Sequence, residues 1–173
     1  DQGPLAHVLL DVSPFYPEGG GQIGDRGTLT LRPSGEVLEV LTTLKAEEGP
    51  AHVVRAAADE LRERLRDCTR VEASVDPARR WPTMRHHTAT HLLHAALRRV
   101  LGEHVEQAGS EVTPEHLRFD FRHDRALTAE ELACVQDLID RAILDNRAVI
   151  WREDVPLAEA KAAGAMALFG EKY

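Results

Sequence analysis

The histidine-rich stretch 85–94 constrains this chain most, because its imidazoles recur at helical spacing. His87 and His91 are four residues apart, so on a helix they share one face, one turn apart. Zinc commonly takes two such histidines among its ligands. Nine histidines in 173 residues can also fall four apart by chance. A solvated helix face is therefore the alternative to a metal pair.

The residues around this pair indicate which kinds of zinc site it could belong to. His94 lies on the same stripe, where it could be a third ligand, and we favour a role in orienting a ligand. Zinc peptidases of the His-Glu-x-x-His type carry a glutamate directly after the first histidine, whereas Thr88 follows His87 here. A zinc peptidase is therefore not expected.

A long helix is predicted over residues 83–101, ending at Gly102, where glycine easily adopts the left-handed conformation. Pro77 and Pro82 interrupt regular structure before it, and they mark a domain boundary after residue 76. The predicted core stripe of this helix is Ala89, Leu93, Ala96, Leu97 and Val100.

Residues 1–76 are predicted to form a small β barrel or sandwich. Apolar and β-branched runs between turn residues predict strands over 5–11, 28–32, 36–42, 51–54 and 71–75. A helical insertion over 55–66 is expected to be exposed. The three glycines in the loop 18–22 allow positive φ and close backbone approach, although a flexible turn would use them equally well.

Residues 77–173 are predicted to hold helices and further strands. Alternation over 116–122 predicts a strand that points Leu117, Phe119 and Phe121 to a core. A capping box at Thr128 opens a helix. The stripe of that helix is Leu132, Val135, Leu138, Ile139, Ala142 and Ile143. A strand over 148–153 and a helix over 155–163 follow, and Met166, Leu168 and Phe169 are expected to be core residues.

Composition excludes some classes of function. The net charge of -8 argues against bulk electrostatic capture of nucleic acid, and leaves only local phosphate contacts near the arginines around the histidine helix. With no membrane-length apolar run and no signal peptide, a cytoplasmic protein without a membrane partner is expected. Cys68 and Cys134 stand alone and are expected to be reduced thiols.

Several motifs together resemble the editing domain of alanyl-tRNA synthetases. They are the histidine run 87–98, Gln-Ala-Gly-Ser at 107–110, Leu-Arg-Phe-Asp-Phe at 117–121, residues 164–172 and the glycine-rich segment 15–25. The resemblance covers nearly the whole chain in the same order. Free-standing AlaX-type trans-editing proteins and the threonyl-tRNA synthetase editing domain are expected relatives.

The resemblance implies an α+β fold with two parts. Residues 1–76 would form a small β-barrel-like subdomain, and residues 77–173 an α/β editing core whose histidine-bearing helix packs on an antiparallel sheet. It also implies Zn²⁺ held by His87 and His91, with a Cys and a His supplied by a Cys-Gly-Gly-Thr-His segment downstream of Tyr173. Neither cysteine of this chain fits that role, so a piece of a longer synthetase is expected, with ATP used only by the parent enzyme.

The resemblance further implies a substrate and a set of site residues. The substrate would be a serine or glycine ester on the acceptor end of tRNA(Ala), and the partners the aminoacylation and C-terminal domains of the parent synthetase. Gln107 and Thr90 are the expected catalytic residues. The expected substrate-binding residues are Gly20, Gly21, Gln22, Ser110, Arg118 and Asp120. A free-standing trans-editing deacylase and a non-catalytic tRNA-positioning module are the alternatives.

Overall fold

The computed structural model describes residues 3–150, 152 and 154–165, and the chain divides into two compact units. The first comprises Asp1–Thr90 with Ser110–Arg118, and the second His91–Gly109 with Phe119–Tyr173. The strands are β1 Leu5–Leu9, β2 Gly27–Arg32, β3 Val37–Ala46, β4 Gly49–Arg55, β5 Arg70–Val75, β6 Gln107–Val112 and β7 Leu117–Phe121. The helices are α1 Ala58–Leu65, α2 Pro77–Leu101, α3 Ala129–Leu144 and α4 Leu157–Ala162.

The first unit contains a five-stranded antiparallel sheet in the order β1-β4-β3-β2-β5. All five predicted strands are confirmed, because each combines β-forming residues with turn residues at its ends. The predicted barrel is not formed by the described strands. Closure would require a partner for each outer strand, whereas β1 pairs with β4 and β5 pairs with β2, so the sheet is open.

The core of the first unit lies on one face of this sheet. Leu29 and Leu31 of β2 are fully buried, and Val40 and Val54 are 1% exposed. Helix α1 was expected to be exposed, but its Leu61 is only 5% exposed and belongs to the same core cluster. Most charged residues of α1 therefore face solvent, while Leu61 and the partly buried Leu65 pack against the core.

Helix α2 begins at Pro77, six residues before the predicted start. Proline suits the first helical position, where its missing N–H is not needed. The Asp76 carboxylate accepts the backbone N–H of Ala78 at 2.9 Å, which caps this end. Pro82 lies inside the helix and removes only one backbone hydrogen bond, so the helix continues. The predicted end is confirmed, with Gly102 at φ +116°.

The second unit has its own apolar core, in which Ala96 and Leu97 of α2 cluster with Val105 and Val135. Phe119 and Phe121 of β7 pack against this cluster, which confirms their predicted direction. The capping box at Thr128 is also confirmed, because its hydroxyl accepts the Glu131 N–H and the Glu131 carboxylate accepts the Thr128 N–H.

Other predictions for residues 77–173 are confirmed only in part. Leu132 and Ile143, predicted for the buried stripe of α3, are 55% and 57% exposed. The described residues within 148–153 form no strand. The helix predicted over 155–163 is confirmed as α4, and Gly164 follows at φ +90°. Met166, Leu168 and Phe169 lie outside the described residues. Within the described part of the chain, no helix is long and apolar enough to cross a membrane.

Candidate functional site

The glycine-rich loop of the first unit folds into a tight turn. The N–H of Gly19 donates to the carbonyl of Gln22 at 3.1 Å, and the N–H of Gln22 donates to the carbonyl of Gly19 at 3.0 Å. Between them, Gly20 and Gly21 take φ values of +58° and +81°. Only glycine adopts such angles without steric penalty, so this local sequence specifies the turn.

This turn is bonded to the end of β6. The N–H of Val112 donates to the Gly21 carbonyl at 2.8 Å, and the N–H of Ile23 donates to the Val112 carbonyl at 3.2 Å. A Cβ on Gly21 would lie 2.4 Å from Oγ and 2.5 Å from the carbonyl oxygen of Ser110. The structure therefore brings Gly21 and Ser110, two predicted site residues, into direct contact.

Asp25 and Arg80 join this loop to the start of α2. The Asp25 side chain is 6% exposed, and each of its oxygens lies 3.0 Å from Arg80 Nε. Arg80 Nη2 also donates to Asp25 and to the Pro14 carbonyl, and the Tyr16 N–H donates to Asp25 at 2.6 Å. The hydrogen bond to Asp25 raises the pKa of Arg80, although burial opposes the shift. The loop and the helix are thereby held by a charged pair.

The glycine-rich turn contacts the histidine helix directly. The side-chain oxygen of Gln22 lies 2.6 Å from Nδ1 of His87. Gln22 is 5% exposed, and His87 is partly buried. Two motifs separated by 65 residues in the sequence therefore meet at one hydrogen bond, and both belong to the first unit.

Thr90 is 8% exposed, and its hydroxyl donates to the carbonyl of His86 one turn earlier at 2.8 Å. Its hydrogen is thus used within the helix, while the oxygen keeps acceptor capacity. The Nδ1 atom of His86 lies 2.7 Å from the Thr113 carbonyl, which tethers α2 to the segment between β6 and β7. His86 was not among the predicted site residues.

A cleft of about 380 Å³ lies beside the turn in the first unit. Its lining brings together four predicted substrate-binding residues, Gly21, Gln22, Ser110 and Arg118. Gly19, Ile23 and two acidic residues that sequence reasoning missed, Glu18 and Glu111, complete the lining. Glu18 lies within the glycine-rich segment and Glu111 directly follows Ser110, so their place in or next to these motifs was the available signal. Gly20 lies in the turn, and the Ser110 hydroxyl donates to its carbonyl at 3.4 Å.

Glu111 gives this cleft a mixed charge. Its carboxylate lies 3.5 Å from Nη1 of Arg118 and 3.3 Å from Nε2 of His116. Since Glu111 and Arg118 are both substantially exposed, water screens their attraction. The cleft thus offers both a cation and anions to a polar ligand.

Three predicted site residues belong to the second unit. His91 is exposed on α2, Gln107 begins β6, and Asp120 of β7 lies close to Gly109, with Oδ2 2.9 Å from a Cβ built there. Their roles stay predictions. His94 is also in this unit and is 4% exposed, with Nε2 3.3 Å from the Val105 carbonyl and its ring against Phe119. These are core contacts, and none supports the predicted orienting role.

The contacts of His87 bear on whether its side chain could ligate zinc. A ligating histidine usually donates its other N–H to an oxygen, and the Gln22 amide oxygen at His87 Nδ1 fits that arrangement. Among the residues that the structure describes, no group of three or more His, Cys, Asp or Glu is placed to hold a metal ion. The surroundings of His87 therefore fit a ligating histidine, and zinc binding by His87 and His91 stays a prediction.

Comparisons with known proteins show what this chain is similar to. The model of the family described as tRNA synthetases class II (A) matches residues 2–79. The chain is 54% identical over 171 residues to the alanine–tRNA ligase of Thermus thermophilus, and 51% identical over 172 residues to that of Deinococcus radiodurans. It is 49% identical over 178 residues to that of Chlorobaculum tepidum. Nearly the whole chain is therefore similar to a segment of alanine–tRNA ligases.

The alignments to the three alanine–tRNA ligases cover 99%, 99% and 96% of this chain, but only 19%, 18% and 19% of the relatives. The chain thus spans about a fifth of the length of the curated relatives it matches. The class II synthetase family model ends at residue 79, so it includes the glycine-rich turn but not the histidine pair. The similarity to the alanine–tRNA ligases includes both the glycine-rich turn and the histidine pair.

Proposed function

We propose that this chain is the editing segment of an alanyl-tRNA synthetase. It would hydrolyse the ester that joins serine or glycine to the terminal ribose of tRNA(Ala), releasing free amino acid and intact tRNA. The observation that carries the proposal is the contact of the glycine-rich turn with His87 through Gln22, beside a cleft that Ser110 and Arg118 also line. The similarity to alanine–tRNA ligases supports the choice of substrate.

A second hydrolytic site has a clear physical purpose in such an enzyme. A synthetic pocket shaped for alanine cannot strongly exclude glycine, which is smaller, or serine, which adds only a hydroxyl. Correction must then follow attachment. An editing segment would remove the wrong amino acid from the tRNA while leaving alanine in place.

In this mechanism, His87 and His91 would hold zinc together with ligands from a downstream Cys and His. Zinc would supply polarisation of the ester carbonyl or activation of a water molecule. Gln107 would position the carbonyl through its amide N–H groups. ATP would be used only by the aminoacylation part of the parent enzyme.

Thr90 would recognise serine as a hydrogen-bond acceptor. Its own hydrogen is donated to the His86 carbonyl, so the oxygen can accept the hydroxyl of a serine ester. An alanine ester would bury that oxygen without the bond, which disfavours alanine. The same argument predicts that Thr90 does not act as a proton donor to substrate.

The tRNA would be held mainly by local contacts and by other domains of the parent synthetase. The net charge of -8 does not favour capture of RNA by this segment alone. Within the cleft, Arg118 supplies a cation, and we propose that it contacts the terminal nucleotide. Asp120, Gly20 and Gly21 are further candidates for lining the bound ester.

Hydrolysis of serine-charged tRNA(Ala) tests the proposal, using an alanine–tRNA ligase that carries this segment. We expect Gln107→Ala to reduce serine release about 100-fold, because an oriented donor to the carbonyl is lost. Zinc content should not change. Retention of tRNA without serine release by the wild type would identify a non-catalytic positioning module. Full activity in Gln107→Ala would remove Gln107 from the mechanism.

A further inference from the structure

We propose that Gln22 is a positioning residue that acts through His87, holding the imidazole with its proton on Nδ1 and its lone pair on Nε2. The resemblance implied a substrate-binding role for Gln22, whereas its side chain is directed to the helix. The importance of the orientation for hydrolysis rests on the proposed function. The orientation itself can be measured without substrate.

The contact has the geometry of a strong hydrogen bond. The distance from Gln22 Oε1 to His87 Nδ1 is 2.6 Å, and Gln22 is 5% exposed. An amide oxygen can only accept, so the imidazole must be the donor at Nδ1. A neutral imidazole carries one N–H, which places the lone pair on Nε2.

The backbone around Gln22 holds its side chain at a fixed position. Its N–H and carbonyl are both bonded to Gly19, in the tight turn. On each side of Gln22, Gly21 and Ile23 are bonded to Val112 at the end of β6. These four hydrogen bonds fix the backbone from which the side chain leaves, and the side chain itself is restrained by its burial and by its bond to His87.

The other partner is fixed as well. Arg80, seven residues before His87 on α2, forms an ion pair with the buried Asp25. Asp25 also accepts the N–H of Tyr16 at 2.6 Å, which ties the start of the loop to the same carboxylate. The ion pair of Asp25 with Arg80 is therefore a second connection between the glycine-rich loop and α2.

The amide orientation decides the tautomer. Turning the Gln22 amide by half a turn would present its NH₂ group to Nδ1 and fix the opposite tautomer, with the proton on Nε2. Only the tautomer with the lone pair on Nε2 can present that nitrogen to a cation. The observed amide orientation therefore requires the proton of neutral His87 to lie on Nδ1.

Nitrogen-15 NMR of the histidine side chains tests this statement on the metal-free protein at neutral to mildly alkaline pH. In the wild type, we expect His87 to show a protonated Nδ1 and an unprotonated Nε2. Gln22→Met has a similar size but no acceptor, so Nδ1 should lose its fixed proton. Gln22→Glu keeps an acceptor and should keep the tautomer. Gln136→Met, at an exposed glutamine of α3, is the matched control.

Zinc affinity is the second measurement, using the metal alone on a form extended through the downstream Cys and His. We expect Gln22→Met to bind zinc about 10-fold to 100-fold more weakly than wild type. Gln22→Glu and Gln136→Met should bind zinc within a few fold of wild type. Unchanged affinity and an unchanged His87 tautomer in Gln22→Met would overturn the inference.

The wild-type spectrum decides the matter even if Gln22→Met does not fold, because a proton on Nε2 of His87 contradicts the inference by itself. The result is also separate from the proposed function. Absence of serine release with the expected tautomer would refute the editing activity and leave the role of Gln22 intact. Serine release with the proton on Nε2 of His87 would support the editing activity and refute the proposed role of Gln22.

Discussion

The hydroxyl of Ser13 lies 2.7 Å from Nε2 of His52, a side chain that is fully buried in the first unit. The other ring nitrogen, Nδ1, lies 2.8 Å from the Val8 carbonyl, so it must be the donor. Nε2 then accepts the Ser13 hydroxyl hydrogen, and Ser13 Oγ accepts the N–H of Phe15. This chain of bonds fixes the entry to the glycine-rich loop.

We therefore expect Ser13→Ala to lower the free energy of unfolding by about 1 to 3 kcal/mol, because a buried nitrogen loses its partner. Ser34→Ala, in an exposed turn of the same unit, is the matched control and should change it by less than about 0.5 kcal/mol. Urea unfolding followed by circular dichroism measures both. Equal losses in the two variants would show that His52 does not depend on Ser13.

The ion pair of Arg80 with Asp25 should contribute more to the free energy of unfolding than the ion pair of Arg79, its neighbour on α2. Arg80→Ala leaves a buried carboxylate without its charge partner, and we expect a loss of about 3 kcal/mol. Arg79 pairs at 3.4 Å with the exposed Glu115. Arg79→Ala should therefore lower the free energy of unfolding by less than about 1 kcal/mol. The same urea experiment compares them, and similar losses would argue against the proposed fastening of loop to helix.

Alanine substitutions at Gly21 and Gly35 distinguish the cost of backbone strain from the cost of a steric clash with a neighbouring residue. Both have positive φ, +81° and +78°, but a Cβ on Gly35 meets nothing within 4 Å. Gly35→Ala should therefore lower the free energy of unfolding by about 1 to 2 kcal/mol through strain alone. Gly21→Ala should lower it by about a further 1 to 3 kcal/mol, because its Cβ would overlap Ser110.

The same pair of variants tests the proposed function. Gly21→Ala should reduce serine release from charged tRNA(Ala), since the turn must shift away from β6. Gly35→Ala should leave the release unchanged. Loss of activity in both variants would point to general destabilisation instead of a local change beside the cleft.

The capping box of α3 predicts a dependence on pH. Hydrogen bonds from Arg125 and from the Thr128 backbone lower the pKa of Glu131 from 4.5 to about 2. A carboxylate whose pKa is lower in the folded than in the unfolded state stabilises the fold at pH values above its unfolded pKa. This contribution is lost as the pH falls from about 4.5 towards 2. The difference in free energy of unfolding between wild type and Glu131→Gln should shrink over that window. Glu130→Gln is the control, and a constant Glu131→Gln difference would contradict the prediction.

Much of the fold could be predicted because the relevant signals are local. The five strands of the first unit, the end of α2 at Gly102 and the Thr128 capping box each depend on a few neighbouring residues. The predicted start of α2 was wrong because Pro77 does not interrupt the helix but begins it at the first helical position.

Features that depend on distant partners could not be predicted in this way. Strand β6 was missed because Gln-Ala-Gly-Ser has little β propensity, and its end is fixed by bonds to Gly21 and Ile23 far away in the sequence. The bond of Gln22 to His87 crosses 65 residues, so no local pattern contains it. The family resemblance selected Gly21, Ser110 and Arg118, which line the cleft. It did not select the two acidic lining residues, although Glu18 lies within the glycine-rich segment and Glu111 directly follows Ser110.

The central claim is that this segment distinguishes a wrong amino acid from alanine on the same tRNA. The most direct test is the ratio of kcat/KM for hydrolysis of serine-charged and alanine-charged tRNA(Ala), measured with an alanine–tRNA ligase that carries the segment. We predict a ratio of about 100 or more in favour of serine. Equal hydrolysis of both esters, or release of neither, would contradict the claim.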